Sequence, residues 1–332
     1  MNNNKIYGFQ NTRNNCYLNS SLQLLTRVKG LENGILDFSN NYINRNNITE
    51  GNLLKEFKNI LDEINNNKKI IIPDYLKDEM GRIDERYNHN RPEDANEFIS
   101  NFLDALREET SNKLDIKKNY INQMNSTDEK EMTAYKKFYN KFYERRGYSF
   151  LLDLFYGNYI TKRFCRNCKQ ILTVKFSAFN MIELPIYELA QKNKYYDLNL
   201  EDILNSFFSE SKIYGDICEK CNRDDVYSKT YIYKLPENLI IFFGRTANEQ
   251  YIDNKINYDK NLDLSKFLYT KFISKNYNLE CVIEHTGSSE FGHYTALCKI
   301  KPKVWYYFSD SFFHENRSAF YSDNAIILLY KS

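Results

Sequence analysis

The amino-acid sequence predicts an α+β protein, because helical patterns fill its first half and strand patterns fill its second half. Up to about residue 150, apolar residues recur with the spacing of amphipathic helices. Beyond that point, Tyr, Phe, Ile, Val and Thr dominate short runs bounded by Gly, Asn, Asp and Pro, which is typical of strands joined by turns. No internal repeat or linker divides the 332 residues, so we expect one domain.

Three stretches of the first half predict helices. Leu18, Leu22 and Leu25 recur at i, i+4 and i+7 and indicate a helix over about 15–27. The stretches LLKEFKNILDEI and PEDANEFISNFLDALREE follow, and the second has Pro92 near its start and an acidic first turn. The next segment, 111–146, is polar and charged and contains the amphipathic pattern MTAYKKFYNKFYERR. We expect this segment to be an insertion or a flexible arm.

Eight runs of the second half predict strands, because they are short and rich in β-branched and aromatic residues. Turn residues separate each run from the next. In chain order they are YITKRFC, ILTVKFSAF, KTYIYKL, NLIIFFG, YNLECVIEH, YTALCKI, VWYYFSD and AIILLY.

Composition and charge exclude several classes of function. Lys and Arg total 46 against 44 Asp and Glu, so the net charge of +2 gives no reason to expect nucleic acid or an anionic membrane as a partner. The polar start has no signal-peptide core, and the longest apolar runs are far shorter than the roughly 20 residues that span a bilayer. We therefore expect an intracellular protein in the cytoplasm, the nucleus or both.

Two C-x-x-C pairs, Cys165 with Cys168 and Cys218 with Cys221, are the most specific motif that spacing alone reveals. Each pair can present two thiolates to one ion from a tight turn, and two pairs complete a tetrahedral four-cysteine zinc site. Because 49 residues separate the pairs, the site would join two hairpins that are distant in sequence. A closed four-sulfur site has no position for water, so we predict a structural zinc. Unrelated thiol pairs or a redox motif are the alternatives.

Cys16 stands at the predicted start of the first helix. There, partial positive charge and unpaired N–H groups lower the pKa of a thiol and can bind the oxyanion that forms when a thiolate attacks a carbonyl. Asn11 and Asn15 add side-chain amide donors nearby. We expect Asn14 or Asn15 to cap the helix and Asn19 to make a contact within it. An inert buried thiol and a metal ligand are the alternatives for Cys16.

His293 follows Gly292 at the start of the run that contains YTALCKI. The glycine permits a sharp turn and the close approach of another backbone. The run VWYYFSD ends in Ser309 and Asp310, and antiparallel pairing of the two runs would bring a side chain near that end to the His293 ring. A thiol, an imidazole and an orienting group together make the arrangement of a cysteine hydrolase. A structural histidine at a strand edge is the alternative.

Taken together, these segments resemble the ubiquitin-specific protease family of cysteine deubiquitinases over nearly the whole chain. YGFQNTRNNCYLNSSLQLL is similar to the family's cysteine box, G-L-x-N-x-G-N-T-C-Y-x-N-S-x-L-Q, and YNLECVIEHTGSSEFGHYTALCK with VWYYFSD is similar to its histidine box. RPEDANEFISNFLDAL resembles the family's Q-D-A-x-E-F segment. The resemblance implies a papain-like cysteine protease fold with a helical thumb, a β-sheet palm and zinc-tipped β fingers.

The resemblance also implies roles for individual residues. Cys16 is the expected nucleophile, His293 the general base and then general acid, and Asn11 the oxyanion donor. Ubiquitin and ubiquitinated proteins are the expected partners, and the extended ubiquitin tail carries arginines that suit acidic side chains. The residues expected to bind that tail or the adjoining substrate are Asp94, Glu97, His285, Gly292 and Tyr294, and the expected zinc ligands are Cys165, Cys168, Cys218 and Cys221.

Four positions depart from the family pattern. Arg13 and Asn15 stand where the family has Gly and Thr, Glu93 stands where it has Gln, and Ser309 stands where the third catalytic residue is Asp or Asn. Neighbouring residues of a regular strand point to opposite faces, so only one of Ser309 and Asp310 could reach His293. We predict that Ser309 orients the His293 ring and that Asp310 assists from the adjacent turn.

The same resemblance divides the single domain, 1–332, into subregions and leaves two further readings open. One is a catalytically inactive ubiquitin-binding module, and the other is an enzyme for a ubiquitin-like modifier. A zinc-ribbon nucleic-acid binder fails on the near-neutral charge. We expect a monomer. The expected subregions are a thumb at about 1–150 with the arm 111–146, fingers at about 151–178 and 206–238, and a palm at about 179–205 and 239–332.

Overall fold

The structure is a computed structural model of the 332-residue chain. It describes residues 5–38, 43–112, 128–145, 147–193, 196–248, 250–270, 276–288, 291–316 and 322–332. In these ranges no helix is both long enough and apolar enough to cross a membrane.

The first half of the described chain is mainly helical, as the sequence predicts. All three predicted helices are present, and α2 and α4 are additional helices that the sequence analysis did not predict. The helices are α1 (Cys16–Leu25), α2 (Lys29–Leu36), α3 (Asn52–Asn65), α4 (Asp74–Ile83), α5 (Ala95–Glu109), α6 (Glu129–Tyr139), α7 (Leu151–Leu154), α8 (Tyr187–Lys192) and α9 (Leu200–Phe207).

The second half is mainly β-structure, and each of the eight predicted strand runs coincides with a strand except at Leu235 and Asp310, which lie one residue beyond the ends of their strands. The strands are β1 (Gly8–Phe9), β2 (Ile70–Ile71), β3 (Gly157–Cys165), β4 (Ile171–Phe179), β5 (Ile182–Pro185), β6 (Leu198–Asn199), β7 (Ser211–Lys212), β8 (Val226–Lys234), β9 (Asn238–Gly244), β10 (Thr246–Ala247), β11 (Gln250–Tyr251), β12 (Ile256–Asn257), β13 (Asn261–Asp263), β14 (Asn276–Gly287), β15 (Gly292–Lys301), β16 (Val304–Ser309), β17 (Phe312–Asn316) and β18 (Ala325–Lys331).

The larger sheet has eight strands in the order β17-β16-β15-β14-β18-β9-β5, with β13 paired to β14 beside this path. All neighbours are antiparallel except β5 and β9. The register places Thr286 opposite His293 in β14 and β15, and Ser309 opposite Phe312 in β16 and β17. The residues of the histidine box therefore meet at one end of neighbouring strands.

The central strands of this sheet are buried on both faces. Ile327 and Leu329 of β18 pack into the core shared with the helices, and Leu328 and Tyr330 pack into a second core on the opposite face. Because both faces are covered, the strand is a continuous apolar run instead of an alternating one. This explains why AIILLY has no charged residue.

A second sheet of four strands, in the order β4-β3-β8-β7, carries both C-x-x-C pairs at one end. Helix α6 packs against β4, where the rings of Tyr135 and Phe176 meet with centroids 5.3 Å apart. Residues 128–145 therefore form a packed helix and its continuation, so the flexible-arm alternative is wrong for them, and the insertion alternative stays a prediction. Residues 113–127 and 146 of that segment lie outside the described residues. The division into thumb, palm and fingers stays a prediction.

Candidate active site

Helix α1 carries Cys16 into the centre of the molecule. The helix packs against β14, β15 and β16 on one side and against α5 on the other, and all ten of its residues are buried. Cys16 is its first residue, with 6% of its surface exposed. The thiol therefore lies at a helix N-terminus that faces the strands of the histidine box.

The loop before Cys16 is held by side chains in an arrangement that differs from an ordinary cap. Asn11 Oδ1 accepts a hydrogen bond from the backbone N–H of Asn15 at 2.8 Å, and Asn15 makes no capping bond with its own side chain. Asn14 has a φ of 54°, a left-handed conformation that asparagine tolerates well, and its amide donates to the Asn90 carbonyl. Asn15 is therefore the N-cap residue of α1, one of the two predicted positions, but its own side chain makes no capping hydrogen bond.

The structure brings His293 and Ser309 together. His293 Nε2 and Ser309 Oγ are 2.8 Å apart, across the β15–β16 ladder. A hydroxyl in this position can accept the imidazole N–H and fix which ring nitrogen carries the proton. Among the hydrogen bonds of the described residues, none joins the Cys16 thiol to the His293 ring directly. The backbone N–H of Tyr294, the residue after His293, does act on the thiol, and its hydrogen bond lowers the pKa of Cys16.

The Asp310 carboxylate binds two asparagines, and among the hydrogen bonds of the described residues none joins it to His293. One carboxylate oxygen accepts from Asn11 Nδ2 at 3.0 Å, and the other accepts from Asn19 Nδ2 at 2.7 Å. The Asp310 carbonyl accepts from the Phe9 backbone N–H at 3.0 Å, and Asp310 has a φ of 53°. Asn19 therefore reaches out of its helix, so the expectation of a contact within the helix is wrong.

The pKa of the Cys16 thiol is raised, mainly by burial, and the nearby Asp310 carboxylate raises it further. The backbone N–H groups of Tyr294, Tyr17 and Cys16 itself act in the opposite direction. The helix N-terminus thus has the effect that the sequence predicts, but desolvation outweighs it. The expectation of a lowered pKa is wrong for the protein without substrate.

A cleft beside His293 is lined by the expected tail-binding residues His285, Gly292, Tyr294 and Asp94. The Tyr294 hydroxyl donates to Asp94 Oδ1 at 3.1 Å, and the rings of His285 and Tyr294 are 4.5 Å apart. Burial lowers the pKa of His285, and among the described residues its Nδ1 has no hydrogen-bond partner. Gly292 has no room for a side chain, because a Cβ there would lie 2.1 Å from His285 Nε2.

Glu97, the remaining acidic residue expected to bind substrate, already forms an ion pair with Arg86. Its carboxylate pairs with Arg86, which also binds Asp84 at 2.6 Å. Glu97 is half-buried on the first turn of α5 and its side chain is 45% exposed, so a basic substrate segment could approach it but would compete with Arg86. Nothing in the local sequence pattern indicates this pairing, since Arg86 lies in a separate 3-10 turn, Glu85–Asn88.

The two C-x-x-C pairs come together in matching turns. In each turn the backbone N–H of the first cysteine donates to the carbonyl five residues on, Cys165 to Gln170 and Cys218 to Arg223, both at 2.9 Å. Sulfur atoms of the two pairs approach to 3.6 Å, and all four lie within 4.8 Å of one another. Four sulfurs bound to one zinc at about 2.3 Å would be about 3.8 Å apart. The donor set therefore fits a tetrahedral zinc ion.

Helix α4, which the sequence analysis did not predict, holds the loop before Cys16. Thr12 donates to Asp74 at 2.5 Å, and Arg13 pairs with Asp78 at 2.7 Å. Lys77, on the same helix, reaches the loop from inside. The signals for this helix were present, since Pro73 precedes an acidic residue at the start of the segment PDYLKDEM.

Known proteins with similar sequences are ubiquitin carboxyl-terminal hydrolases. Ubiquitin carboxyl-terminal hydrolase 2 of Bos taurus is 27% identical over 320 residues, which cover 92% of this chain and 51% of that protein. Probable ubiquitin carboxyl-terminal hydrolase R319 of Acanthamoeba polyphaga mimivirus is 32% identical over 204 residues, covering 57% of this chain and 43% of that protein. The chain thus spans about half the length of relatives such as the bovine protein.

Solved structures show the same fold at low sequence identity. The Ubp8/Sgf11/Sus1/Sgf73 DUB module of SAGA, bound to ubiquitin aldehyde, matches with a TM-score of 0.74 and 18% identity over 98% of this chain and 69% of that chain. This likeness confirms the predicted fold class. The family model described as ubiquitin carboxyl-terminal hydrolase matches residues 7–330, a range that includes both Cys16 and His293. The chain therefore belongs to the ubiquitin carboxyl-terminal hydrolase family of cysteine hydrolases.

Proposed function

We propose that the chain is a thiol-dependent deubiquitinase that hydrolyses the peptide or isopeptide bond at the C-terminal glycine of ubiquitin. The proposal rests on the arrangement of Cys16, His293 and Ser309 in a chain that belongs to this family. A buried thiol at a helix start lies against the backbone N–H of Tyr294, and the preceding residue, His293, is fixed by Ser309. The relatives' printed names describe the same class of hydrolase.

In the first step the Cys16 sulfur attacks the glycine carbonyl while His293 takes the thiol proton. A new C–S bond forms and the carbonyl oxygen becomes an oxyanion. His293 then donates its proton to the departing lysine amine as the C–N bond breaks. Water, activated by the neutral imidazole, hydrolyses the thioester and regenerates Cys16. Ser309 holds the imidazole in the required tautomer during both steps.

Asn11 is suited to bind the oxyanion because its side-chain amide has two N–H groups. One donates to Asp310, and Asn11 Oδ1 accepts from Asn15, so the orientation of the amide is fixed at both ends. Because the amide group is planar, these two bonds also fix the direction of its second N–H, which can donate to the oxyanion. We infer that Asp310 acts on the reaction through Asn11 and that Ser309 acts through His293.

Substrate binding and metal binding complete the proposal. The cleft lined by Asp94, His285, Gly292 and Tyr294 would take the extended ubiquitin tail, with Asp94 facing its basic residues. A zinc ion on Cys165, Cys168, Cys218 and Cys221 would tie the turn after β3 to the turn before β8. Residence in the cytoplasm or nucleus and a monomeric state remain expectations from the sequence.

The proposal is tested by incubating the protein with ubiquitin joined to a lysine side chain through an isopeptide bond. We expect the parent protein to release ubiquitin and Cys16→Ala to release none while it still binds ubiquitin. The same assay with ubiquitin-like modifiers tests the alternative substrate class. Binding of ubiquitin without any release by the parent protein would instead favour an inactive binding module.

A further inference from the structure

Lys77 is a buried cation beside the active site that the mechanism above does not use. It is 0% exposed, although lysine is almost never fully buried without partners. Burial lowers the pKa of Lys77, and the neighbouring Arg13 lowers it further. Burying a charge costs free energy, so the contacts that Lys77 makes should explain why it is buried.

The ammonium of Lys77 is fully occupied by three acceptors. Lys77 Nζ donates to the Arg13 carbonyl at 2.9 Å, to Asn15 Oδ1 at 2.8 Å and to the His89 carbonyl at 3.1 Å. An ammonium group has three N–H donors, so no donor is left over. These contacts join helix α4, the loop before Cys16 and the loop that leads into α5.

Two of the three acceptors lie just before the nucleophile in the chain. Arg13 and Asn15 precede Cys16, and the ring of Tyr17, which follows it, lies with its centroid 5.9 Å from Lys77 Nζ. Asn15 is also the residue whose backbone N–H binds Asn11. One cation thus fixes the path of the chain on both sides of the thiol and, through Asn15, the orientation of Asn11.

The surface side of the same loop is held by weaker contacts. The ion pair between Arg13 and Asp78 is at 2.7 Å, but the Asp78 side chain is 54% exposed, and solvent screening leaves exposed ion pairs with little net stabilisation. Charge-assisted hydrogen bonds inside the protein are stronger and leave costly unpaired carbonyls when they are broken. Loss of the buried contacts of Lys77 should therefore displace the loop more than loss of the exposed Arg13–Asp78 pair.

We propose that Lys77 is a positioning residue for the reaction, which holds the loop 11–15 so that Cys16 and Asn11 face the same carbonyl. It touches neither substrate nor reacting atoms and acts through Asn15 and the Arg13 carbonyl. The inference rests on the proposed deubiquitinase function, and it predicts that loss of Lys77 slows catalysis more than it weakens ubiquitin binding.

The test compares Lys77→Met with Lys77→Arg and with the control Lys55→Met, which removes an exposed lysine on α3. We expect Lys77→Met to lower kcat by about 100-fold, the cost of a small misplacement of catalytic groups, with KM changed far less. Lys77→Arg, which keeps the charge and donors, should recover part of kcat. Lys55→Met should match the parent protein.

Amide hydrogen exchange provides a readout that does not depend on turnover. Lys77→Met should speed exchange in residues 11–17 and leave the larger sheet unchanged. If Lys77→Met does not fold, Asn15→Ala removes one of the same contacts and should lower kcat and speed exchange in that segment. Unchanged kcat and exchange in a folded variant, or equal losses of kcat and ubiquitin binding, would overturn the inference. A parent protein that shows no hydrolysis would refute the proposed function, and the exchange result would still decide the role of Lys77.

Discussion

Cys16 and the four-cysteine cluster place the same chemical group in two opposite settings. In the cluster, sulfurs from two turns meet within 4.8 Å, and backbone N–H groups of matching turns fix their positions. Among the described residues Cys16 belongs to no group of three or more side chains that could hold a metal, and backbone N–H groups act on its thiol instead. The first setting suits permanent binding of a metal, and the second suits transient binding of a carbonyl.

The comparison shows which parts of the sequence determine each function. The cluster depends on spacing within two short motifs, so a change to any ligand should affect stability. The nucleophile depends on side chains from α1, α4, β15 and β16, so a change nearby should affect the reaction and leave the fold intact. Each of the following variants tests one side of this contrast.

The largest effect is expected at the cluster. Cys218→Ala removes one of four ligands, and we expect the zinc content to fall from about one ion per chain to none, with a loss of about 4 kcal/mol or more in the free energy of unfolding. Metal analysis and urea denaturation measure the two quantities. Glu219→Ala, an exposed neighbour, is the matched control. Equal stability of Cys218→Ala and the control would contradict a structural metal.

The next effect separates the two residues that follow one another at the end of β16. Asp310→Ala frees Asn11, so we expect kcat to fall by about 100-fold, the typical cost of losing an oxyanion donor. Asn11→Ala should have the same effect. The double variant should lose little more activity, because both changes disable the same oxyanion donor. Asp310→Asn, which also tolerates a positive φ, controls for backbone strain.

Ser309→Ala should cost less than Asp310→Ala, because Ser309 only orients the base and a thiolate–imidazolium pair is partly self-activating. We expect a loss well below the roughly 100-fold or more that general base catalysis contributes. Steady-state kinetics on the ubiquitin–lysine substrate measure both variants. If Ser309→Ala removes activity and Asp310→Ala does not, the carboxylate does not act through Asn11.

A smaller effect is expected in the cleft. Gly292→Ala would drive a Cβ into the His285 ring, so we expect a loss of about 1–3 kcal/mol in stability together with a raised KM. Gly244→Ala is the matched control, because its Cβ would meet no atom closer than 3.5 Å. A normal KM for Gly292→Ala would show that the His285 ring does not shape the path of the ubiquitin tail.

The smallest effect is a shift along the pH axis. Because burial raises the pKa of Cys16, its alkylation by iodoacetamide should still increase with pH above about 8.5, where an ordinary thiol is half ionised. Subtracting the rate for Cys16→Ala removes the contribution of the remaining cysteines. A rate that levels off below pH 7 would instead indicate a thiolate–imidazolium pair in the protein without substrate.

The same contrast explains how much the sequence could predict. The zinc ligands follow from spacing, and the helix that begins at Cys16 follows from Leu18, Leu22 and Leu25, because both patterns are local. The pKa of Cys16 could not be predicted, since it depends on burial by a sheet some 280 residues further along the chain. The side-chain role of Asn19 likewise depends on Asp310, which only the fold brings near.

The resemblance to a family could assign roles to residues. It could not show how the structure accommodates the positions at which this chain differs from the family pattern. Arg13 stands where the family has Gly, and the structure shows why the loop tolerates it. The side chain points away from Cys16 to Asp78 on α4, while Lys77 binds the Arg13 carbonyl from the other side. Helix α4 lies outside both family boxes, so neither box indicates these contacts.

Covalent capture tests the central claim most directly. The protein is incubated with ubiquitin that carries an electrophile at its C-terminus, and the intact mass of the product is measured beside Cys16→Ala. We predict that the parent chain gains the mass of one ubiquitin, that digestion maps the link to Cys16, and that the variant gains nothing. An adduct on Cys16→Ala, or no adduct on a parent protein that binds ubiquitin, would contradict the assignment of Cys16 as the nucleophile of a deubiquitinase.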